Sequence, residues 1–256
     1  MIPKIIHYCW LSGDPYPEDI KKCIQSWKEI LPDYEFWLWD TNRFDINSTL
    51  WTKQAFEAKK YAFAADYIRL YALYNYGGIY LDSDILVYKS FNDLLHLPFF
   101  IGEDYIHSFE PAVIGTEPFN PWIKECLNSY NNQSFILDNN EFDMKPLPIR
   151  FKNILQKKYE FISINRIDTS FYHLKTNLIP IFKWHFFNSR DQLGVFQTKY
   201  SYCSHCYLGS WTKKNMPIHK KIARKYLPSN ILKIIFRITT ALHSHKIQGR
   251  IYYKKL

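Results

Sequence analysis

Short apolar segments alternate with segments of helical spacing at the start of the chain, and this order restricts the fold more than any other feature. The apolar segments are typical of buried strands and cover residues 2–10, 34–39 and 79–81. The segments between them are predicted helices and cover residues 17–30 and 51–76. Further predicted elements are a strand at residues 112–115 and a helix at residues 121–130. The order predicts an α/β fold, whose ligands bind beyond the carboxyl ends of the strands.

Two aspartates, Asp82 and Asp84, directly follow the third predicted strand. Carboxylates two positions apart after a buried strand lie close together at the edge of the sheet. Such hard oxygen ligands suit Mg²⁺ or Mn²⁺, ions that complete their coordination with water and substrate phosphates. The D-x-D triplet is common in proteins, so the alternative is a solvated turn that contains two aspartates without binding a metal.

The predicted helix 51–76 carries Asp66 and Arg69 on one face, three residues apart. Ion pairs of this spacing are frequent on protein surfaces. This helix, however, has apolar residues on several sides, which predicts a mostly buried element. Charged residues on a buried helix need a polar partner or a ligand.

The pattern A-x-x-x-D-x-x-R-x-x-x-L-x-x-x-G-G-x-Y-x-D-x-D, from Ala62 to Asp84, resembles the sugar-binding region of glycosyltransferase family 32. The family includes yeast-type initiating mannosyltransferases, bacterial capsule enzymes and, more distantly, glucosylating clostridial toxins. The opening segment Pro3–Trp10 is similar to the start of the family. Other matching segments are Ser26-Trp27, Leu31-Pro32-Asp33-Tyr34 and Trp39-Asp40. The resemblance is strong over residues 1–95 and faint beyond.

This resemblance implies a GT-A fold, with a single mixed sheet flanked by helices, and a retaining transfer of a hexose from a nucleotide-sugar that leaves an α-linkage. By analogy with the family, the expected donor is a UDP-hexose, UDP-galactose or UDP-glucose, with GDP-mannose second. It assigns Asp66, Arg69 and Asp82 to the catalytic centre, where they contact the sugar, ribose and phosphate of the donor. The implied metal, Mn²⁺ or Mg²⁺, is bound by Asp84 together with Asp82. Further donor-binding residues on this reading are Trp10, which stacks on the nucleobase, Tyr80 and Ser83.

A downstream segment, His205–Trp211, resembles the H-x-x-x-x-S-W sequence near the end of the family's catalytic region. The resemblance implies that His205 completes the metal site, while Ser210 and Trp211 close over the donor diphosphate. The Thr-Gly-Pro segment of many relatives is missing, and the nearest candidate, Lys145–Ile149, has no glycine. Acceptor recognition is therefore not predicted.

The net charge of +9 is concentrated at the carboxyl end of the chain. Residues 213–256 hold twelve Lys or Arg and no Asp or Glu, which leaves 21 basic and 24 acidic residues elsewhere. Because a nucleic-acid enzyme would spread its basic residues around its cleft, we do not expect nucleic acid as a partner. We predict a catalytic domain at 1–212 and a basic helical tail at 213–256, in which Asn230–His243 has amphipathic spacing.

The predicted location is the cytoplasm, at the inner face of an anionic membrane. The start of the chain does not resemble a signal peptide, and no apolar run reaches the length of a membrane span. Five scattered cysteines, with a lone C-x-x-C at Cys203–Cys206, favour a reducing compartment over a disulfide framework. The expected acceptor is an oligosaccharide or a lipid-linked saccharide, by analogy with capsule enzymes.

Two other functions are compatible with parts of the sequence. One is a phosphatase of the haloacid dehalogenase type, whose nucleophilic aspartate also follows a strand in D-x-D. Ile85 and Leu86 replace the small residues expected after such a motif, which argues against it. The other is a membrane-tethered carbohydrate-binding relic, which would have lost part of the set Trp10, Asp66, Arg69, Asp82 and Asp84.

The membrane prediction can be tested by flotation with anionic liposomes, comparing the full chain with a chain that ends at Asn215. Each basic residue near an anionic surface contributes about 1 kcal/mol, so the full chain should float at low salt and the shortened chain should not. If both chains stay in the soluble fraction, the tail is a packed structural element.

Overall fold

A computed structural model of the protein describes residues 1–191, 194–195, 197–208 and 250–254. The strands of the central sheet are β1 Ile5–Cys9, β2 Glu35–Trp39, β3 Gly78–Leu81, β5 Phe99–Glu103, β6 Phe109–Thr116, β7 Glu160–Ile164 and β8 Leu178–Phe182. The remaining strands are β4 Ile85–Val87, β9 Arg190–Asp191, β10 Gly194–Val195 and β11 Cys203–His205. Within the described residues, the central sheet has seven strands in the order β2-β1-β3-β6-β5-β8-β7.

The sheet is mixed because β6 runs antiparallel to both of its neighbours, β3 and β5, while the other neighbouring strands are parallel. The predicted α/β fold with a mixed sheet flanked by helices is therefore confirmed. Two small ribbons accompany the sheet in the described part of the chain, β4 with β11 and β9 with β10. Since β1 and β3 are parallel neighbours, the residues that follow them, Trp10 and Asp82, lie at the same edge.

The helices are α1 Glu18–Ile30, α2 Leu50–Glu57, α3 Tyr61–Tyr76, α4 Pro121–Asn128 and α5 Leu147–Leu155. The prediction of one helix over residues 51–76 is wrong, because the chain turns between α2 and α3. Lys59 adopts a left-handed backbone conformation with φ 56°, which a continuous helix does not allow. A hydrogen bond connects the two helices: the indole N–H of the buried Trp51 in α2 donates to the carbonyl of Phe63 in α3 at 2.8 Å.

Helix α3 is buried on most of its surface, as the distribution of its apolar residues predicts. It packs on one face of the sheet, in the hydrophobic core that also contains Tyr80. Ile79 and Leu81, the residues on either side of Tyr80 in β3, point into a second core on the opposite face. Strand β3 is therefore buried on both faces, and Asp82 is the first polar residue after it.

Some segments that resemble the family contain no predicted catalytic residue. Their side chains hold the strands in place. His7 is buried and accepts a hydrogen bond from the indole N–H of Trp39 at 3.1 Å. Its Nε2 consequently carries the proton and donates to the carbonyl of Gly77 at 2.7 Å. Burial lowers the pKa of His7 to about 4, so the ring is neutral and joins β1, β2 and the turn before β3.

The pair Ser26 and Trp27 anchors β4, the strand that follows the two aspartates. The indole N–H of Trp27 donates to the carbonyl of Ile85 at 2.6 Å. The hydroxyl oxygen of Ser26 accepts from the backbone N–H of Val87 at 3.0 Å. Helix α1 thereby determines where the chain goes after Asp84.

Residues 250–254 are extended and pack on the catalytic domain, although they belong to the predicted helical tail. Ile251 is buried, and Lys254 forms an ion pair of 2.6 Å with Glu160. Most of this predicted tail, including the amphipathic segment 230–243, lies outside the described residues. Over the described ranges, no helix combines the length and the apolar character needed to span a membrane.

Replacing Gly78 with alanine should destabilise the fold, because this glycine has φ +91° and a Cβ there would lie 2.7 Å from the carbonyl oxygen of Ile5. Gly13→Ala is the matched control, since Gly13 has φ +73° but open space around it. We expect Gly13→Ala to lower the free energy of unfolding by about 1–3 kcal/mol, and Gly78→Ala by more, as measured by urea denaturation. Equal losses in the two variants would show that the contact between β1 and β3 tolerates the methyl group.

Candidate metal and donor-binding site

The buried guanidinium of Arg69 joins three elements at the end of β3. Its Nη2 lies 3.0 Å from Asp66 Oδ1 and 3.1 Å from Asp82 Oδ1. Its Nη1 donates to the carbonyl of Pro111 in β6 at 2.8 Å. The guanidinium also lies 4.6 Å from the ring centroid of Tyr80, a cation–π distance. Arg69 is 5% exposed, so the alternative of a surface ion pair is excluded.

Burial makes the two carboxylates around Arg69 dependent on its charge. Removal from water raises the pKa of Asp66 to about 7, although Arg69 opposes this shift. The pKa of Asp82 is also raised by burial and lowered in part by Arg69. The hydroxyl of Tyr80 donates to Asp82 Oδ1 at 3.0 Å and helps to hold that carboxylate.

Asp82, Asp84 and His205 form a group that could bind a metal ion. One ligand atom from each side chain lies within 4.8 Å of the others, which is close enough to share an ion. His205 Nε2 lies 3.2 Å from Asp84 Oδ1. Carboxylate oxygens combined with imidazole nitrogen suit Mn²⁺, and the oxygens suit Mg²⁺. The residues present therefore fit the ion that the sequence predicts.

The ribbon of β4 and β11 brings His205 to this position from far along the chain. In the ribbon, His205 pairs with Ile85, the residue directly after Asp84. The backbone N–H of Cys206 donates to the carbonyl of Asp84 at 2.9 Å, and that of Leu208 donates to Asp84 Oδ2 at 3.0 Å. These bonds fix the segment that follows β11 against the aspartates.

The side chains of Asp84 and His205 differ in protonation, and His205 has to lose a proton before it can bind a cation. Burial alone would raise the pKa of Asp84, but His205 and the N–H of Leu208 lower it, so this carboxylate is ionised. Burial alone would lower the pKa of His205, but Glu110 and Asp84 raise it well above its ordinary value. In the metal-free protein His205 is therefore an imidazolium, and a bound metal would displace its proton.

The remaining predicted donor-binding residues differ in how deeply they are buried and in what they contact. Trp10 is half-buried at the end of β1, with its indole N–H on the carbonyl of Asp14 at 2.7 Å and its ring against Tyr16. Ser83 is half-buried between the two aspartates. Tyr80 is 2% exposed, and its contacts are with Arg69 and Asp82. The predicted residues Ser210 and Trp211 lie outside the described residues.

Sequence reasoning missed Glu110, a buried carboxylate of β6 that lies beside His205. Glu110 Oε2 accepts from the amide of Asn188 at 2.7 Å and from the hydroxyl of Tyr207 at 2.9 Å. Glu110 Oε1 lies 3.3 Å from His205 Nδ1. An acidic residue two positions into an otherwise apolar strand was the available signal.

The C-x-x-C sequence does not form a paired site. The thiol of Cys203 is buried and donates to the carbonyl of Phe187 at 3.2 Å. The sulfur of Cys206 lies 3.9 Å from that of Cys23 in α1. The two cysteines therefore contact different partners.

Residues 17–100 match the family model described as "Glycosyltransferase sugar-binding region containing DXD motif". This part of the chain is thus similar to the sugar-binding region of glycosyltransferases with a DXD motif. The resemblance predicted from the sequence is confirmed over these residues, which include Asp66, Arg69, Asp82 and Asp84. The match begins after Trp10 and ends before His205, so the assignment of these two residues depends on geometry.

Relatives of known name are similar over part of their length. Inositol phosphoceramide mannosyltransferase 3 of Schizosaccharomyces pombe is 29% identical over 138 residues, 52% of this chain and 38% of that protein. Mannosyl phosphorylinositol ceramide synthase SUR1 of Saccharomyces cerevisiae is 32% identical over 133 residues, 50% of this chain and 35% of that protein. Among solved structures, PaToxG glycosyltransferase is 23% identical, with a TM-score of 0.46 over 61% of this chain and 68% of that chain. The chain thus spans little more than a third of the two curated relatives.

Replacing Arg69 with methionine should leave the buried Asp66 and the half-buried Asp82 without their cation. We expect the free energy of unfolding at neutral pH to fall by about 3–5 kcal/mol, as for other broken buried ion pairs. The control is Arg166→Met, because Arg166 is 68% exposed and its pair with Asp168 contributes about 0–1 kcal/mol. Denaturant titrations of both variants give the comparison, and equal losses would contradict it.

The loss in the free energy of unfolding that Arg69→Met causes, its stability deficit, should also depend on pH. Asp66 has a higher pKa in the folded state than its ordinary 3.8, so its contribution to stability is complete below 3.8 and is lost as the pH rises through about 7. Without Arg69 the pKa of this carboxyl rises further. The deficit should therefore shrink as the pH is lowered, and a deficit that grows in acid would contradict the assignment.

Proposed function

We propose that this protein is a metal-dependent, retaining glycosyltransferase that moves a hexose from a nucleotide-sugar to a lipid-linked acceptor. The observation that supports this most directly is the group of Asp82, Asp84 and His205 beside the buried Arg69. Three possible metal ligands and a fixed cation meet at the end of one strand. This combination is suited to a diphosphate that leaves with its negative charge.

The roles we propose follow from the position of each side chain. Mn²⁺ or Mg²⁺, held by Asp82, Asp84 and His205, would neutralise charge on the departing diphosphate. Arg69 adds a positive charge that is already oriented, because it is hydrogen-bonded to Pro111 and paired with Asp66. Arg69 contacts Oδ1 of both Asp66 and Asp82, and the Tyr80 hydroxyl donates to the same oxygen of Asp82. We propose that the second oxygen of each carboxylate serves the donor hydroxyls or the metal.

Trp10 lies at the end of the strand next to β3 and is half-buried, which suits a platform for the nucleobase. Ser83, between the metal-binding aspartates, is placed to reach the same donor. Ser210 and Trp211 are proposed to close over the diphosphate, and this role is based on the sequence resemblance alone.

For the sugar we propose mannose, with GDP-mannose as the first donor to test, because both curated relatives are named for mannosyl transfer. UDP-glucose and UDP-galactose, which the sequence resemblance favoured, come next. The relatives' names also specify a ceramide acceptor, and capsule enzymes build on lipid-linked chains. We therefore propose an acceptor hydroxyl carried on a lipid, at the cytoplasmic face of a membrane, to which the basic residues of 213–256 would attract the enzyme.

The test is turnover of GDP-mannose, UDP-glucose and UDP-galactose with and without Mn²⁺, monitored by release of the nucleoside diphosphate. We expect activity only with a divalent metal, and a loss of several kcal/mol of transition-state stabilisation, more than about 100-fold, in Asp84→Asn. Asp93→Asn is the control, because Asp93 is exposed and paired with Lys89. Thermal shifts with each donor and Mn²⁺ identify the preferred nucleotide.

Unchanged turnover in excess chelator would contradict metal dependence. Phosphate release from an aryl phosphate without nucleotide-sugar turnover would support a phosphatase instead. Donor binding without any turnover would support a carbohydrate-binding relic. An NMR spectrum of the product should show an α-linkage, and a β-linkage would contradict the retaining mechanism.

A further inference from the structure

Glu110 lies behind His205, on the side away from Asp84, and no role follows for it from the sequence resemblance. We propose that Glu110 is a positioning residue that orients His205, so that His205 Nε2 faces Asp84 and the metal. This inference rests on the proposed metal-dependent function. It adds a side chain of β6 to a site whose other side chains come from α3, β11 and the segment after β3.

The imidazole of His205 lies between two carboxylates. Its Nε2 is 3.2 Å from Asp84 Oδ1, and its Nδ1 is 3.3 Å from Glu110 Oε1. The second contact is at ion-pair distance and does not meet the criteria of a hydrogen bond. His205 Nδ1 is buried and has no hydrogen-bond acceptor with good geometry among the described residues. Glu110 Oε1 is therefore the carboxylate oxygen within ion-pair distance of this otherwise unpartnered nitrogen.

Two hydrogen bonds to its second carboxylate oxygen, Oε2, hold Glu110 in position. Glu110 Oε2 accepts from Asn188 Nδ2 at 2.7 Å and from the Tyr207 hydroxyl at 2.9 Å. The Tyr207 ring stacks on the His205 ring, with centroids 4.1 Å apart and an angle of 27°. The same tyrosine thus restrains both the carboxylate and the imidazole, and Glu110 is 5% exposed.

This arrangement matches what a metal-binding histidine needs. A histidine binds a metal through an unprotonated ring nitrogen, while the other nitrogen carries the proton and donates it to an acceptor. A carboxylate behind Nδ1 selects the form in which Nε2 is free for the metal. It also increases the basicity of Nε2 and prevents rotation of the ring.

Direct coordination by Glu110 does not fit the geometry. In the described part of the chain, the ligand atoms close enough to share an ion come from Asp82, Asp84 and His205. Glu110 contacts the opposite ring nitrogen, so the imidazole separates it from the metal position. Its effect must pass through His205.

The variant Glu110→Gln tests this role with little change in volume. The glutamine carbonyl would accept from Asn188 and Tyr207, which turns its NH₂ toward His205 Nδ1. That nitrogen would then have to accept, and the proton would move to Nε2, where it blocks the metal. We expect the Kd for Mn²⁺, measured by calorimetry, to rise about 10- to 100-fold.

A second readout does not require metal. In side-chain NMR of the metal-free protein labelled with ¹⁵N-histidine, wild type should show a protected Nδ1–H signal for His205, assigned by its loss in His205→Ala. Glu110→Gln should lose this signal. If Glu110→Gln fails to fold, Glu110→Asp, which withdraws the carboxylate by one methylene, is expected to change both readouts in the same direction.

The matched control is Glu103→Gln on the neighbouring strand. Glu103 is fully buried like Glu110, but it binds His107 and Tyr253 rather than His205. We expect Glu103→Gln to keep the wild-type Mn²⁺ affinity and the Nδ1–H signal.

The inference is overturned if Glu110→Gln keeps the wild-type Kd, or if the Kd rises while the Nδ1–H signal persists. It is also overturned if Glu103→Gln produces the same loss. A wild-type protein that binds no Mn²⁺ would contradict the proposed function instead, and the Nδ1–H signal would still decide whether Glu110 holds His205.

Discussion

The guanidinium of Arg69 is the interaction on which the site and much of the core depend. It lies on a helix that is buried almost all round, and it contacts Asp66 of α3, Asp82 after β3 and the backbone of β6. Burying one cation with two carboxylates is favourable only when every charge has a partner, so these residues are constrained together. Under the proposed function, this fixed positive charge would stabilise the negative charge that develops on the donor diphosphate.

The second half of the site depends on charge balance between distant segments. Asp84 and Glu110 would repel each other if both were buried as anions, and the imidazolium of His205 lies between them. A divalent cation can replace that proton without leaving the acidic group uncompensated. A metal bound through His205 as proposed would displace this proton, so its affinity would depend on pH.

Several predictions succeeded because they depended on local sequence. The apolar segments identified β1, β2 and β3, and Gly77–Gly78 marked the end of helix α3 before β3. Asp82 and Asp84 are close together because they stand two positions apart directly after a buried strand. The break between α2 and α3 was missed because Lys59 is not a residue type that usually marks a turn.

The sequence by itself determined the α/β class, the two aspartates and the pairing of Asp66 with Arg69, because each depends on spacing within one strand or helix. Only the tertiary structure decided the antiparallel direction of β6, the contact of Ser26 and Trp27 with β4, and the place of Glu110 behind His205. These features join residues far apart in the chain, and their geometry depends on which strands pair. The periodicity of a single segment carries no information about its partner.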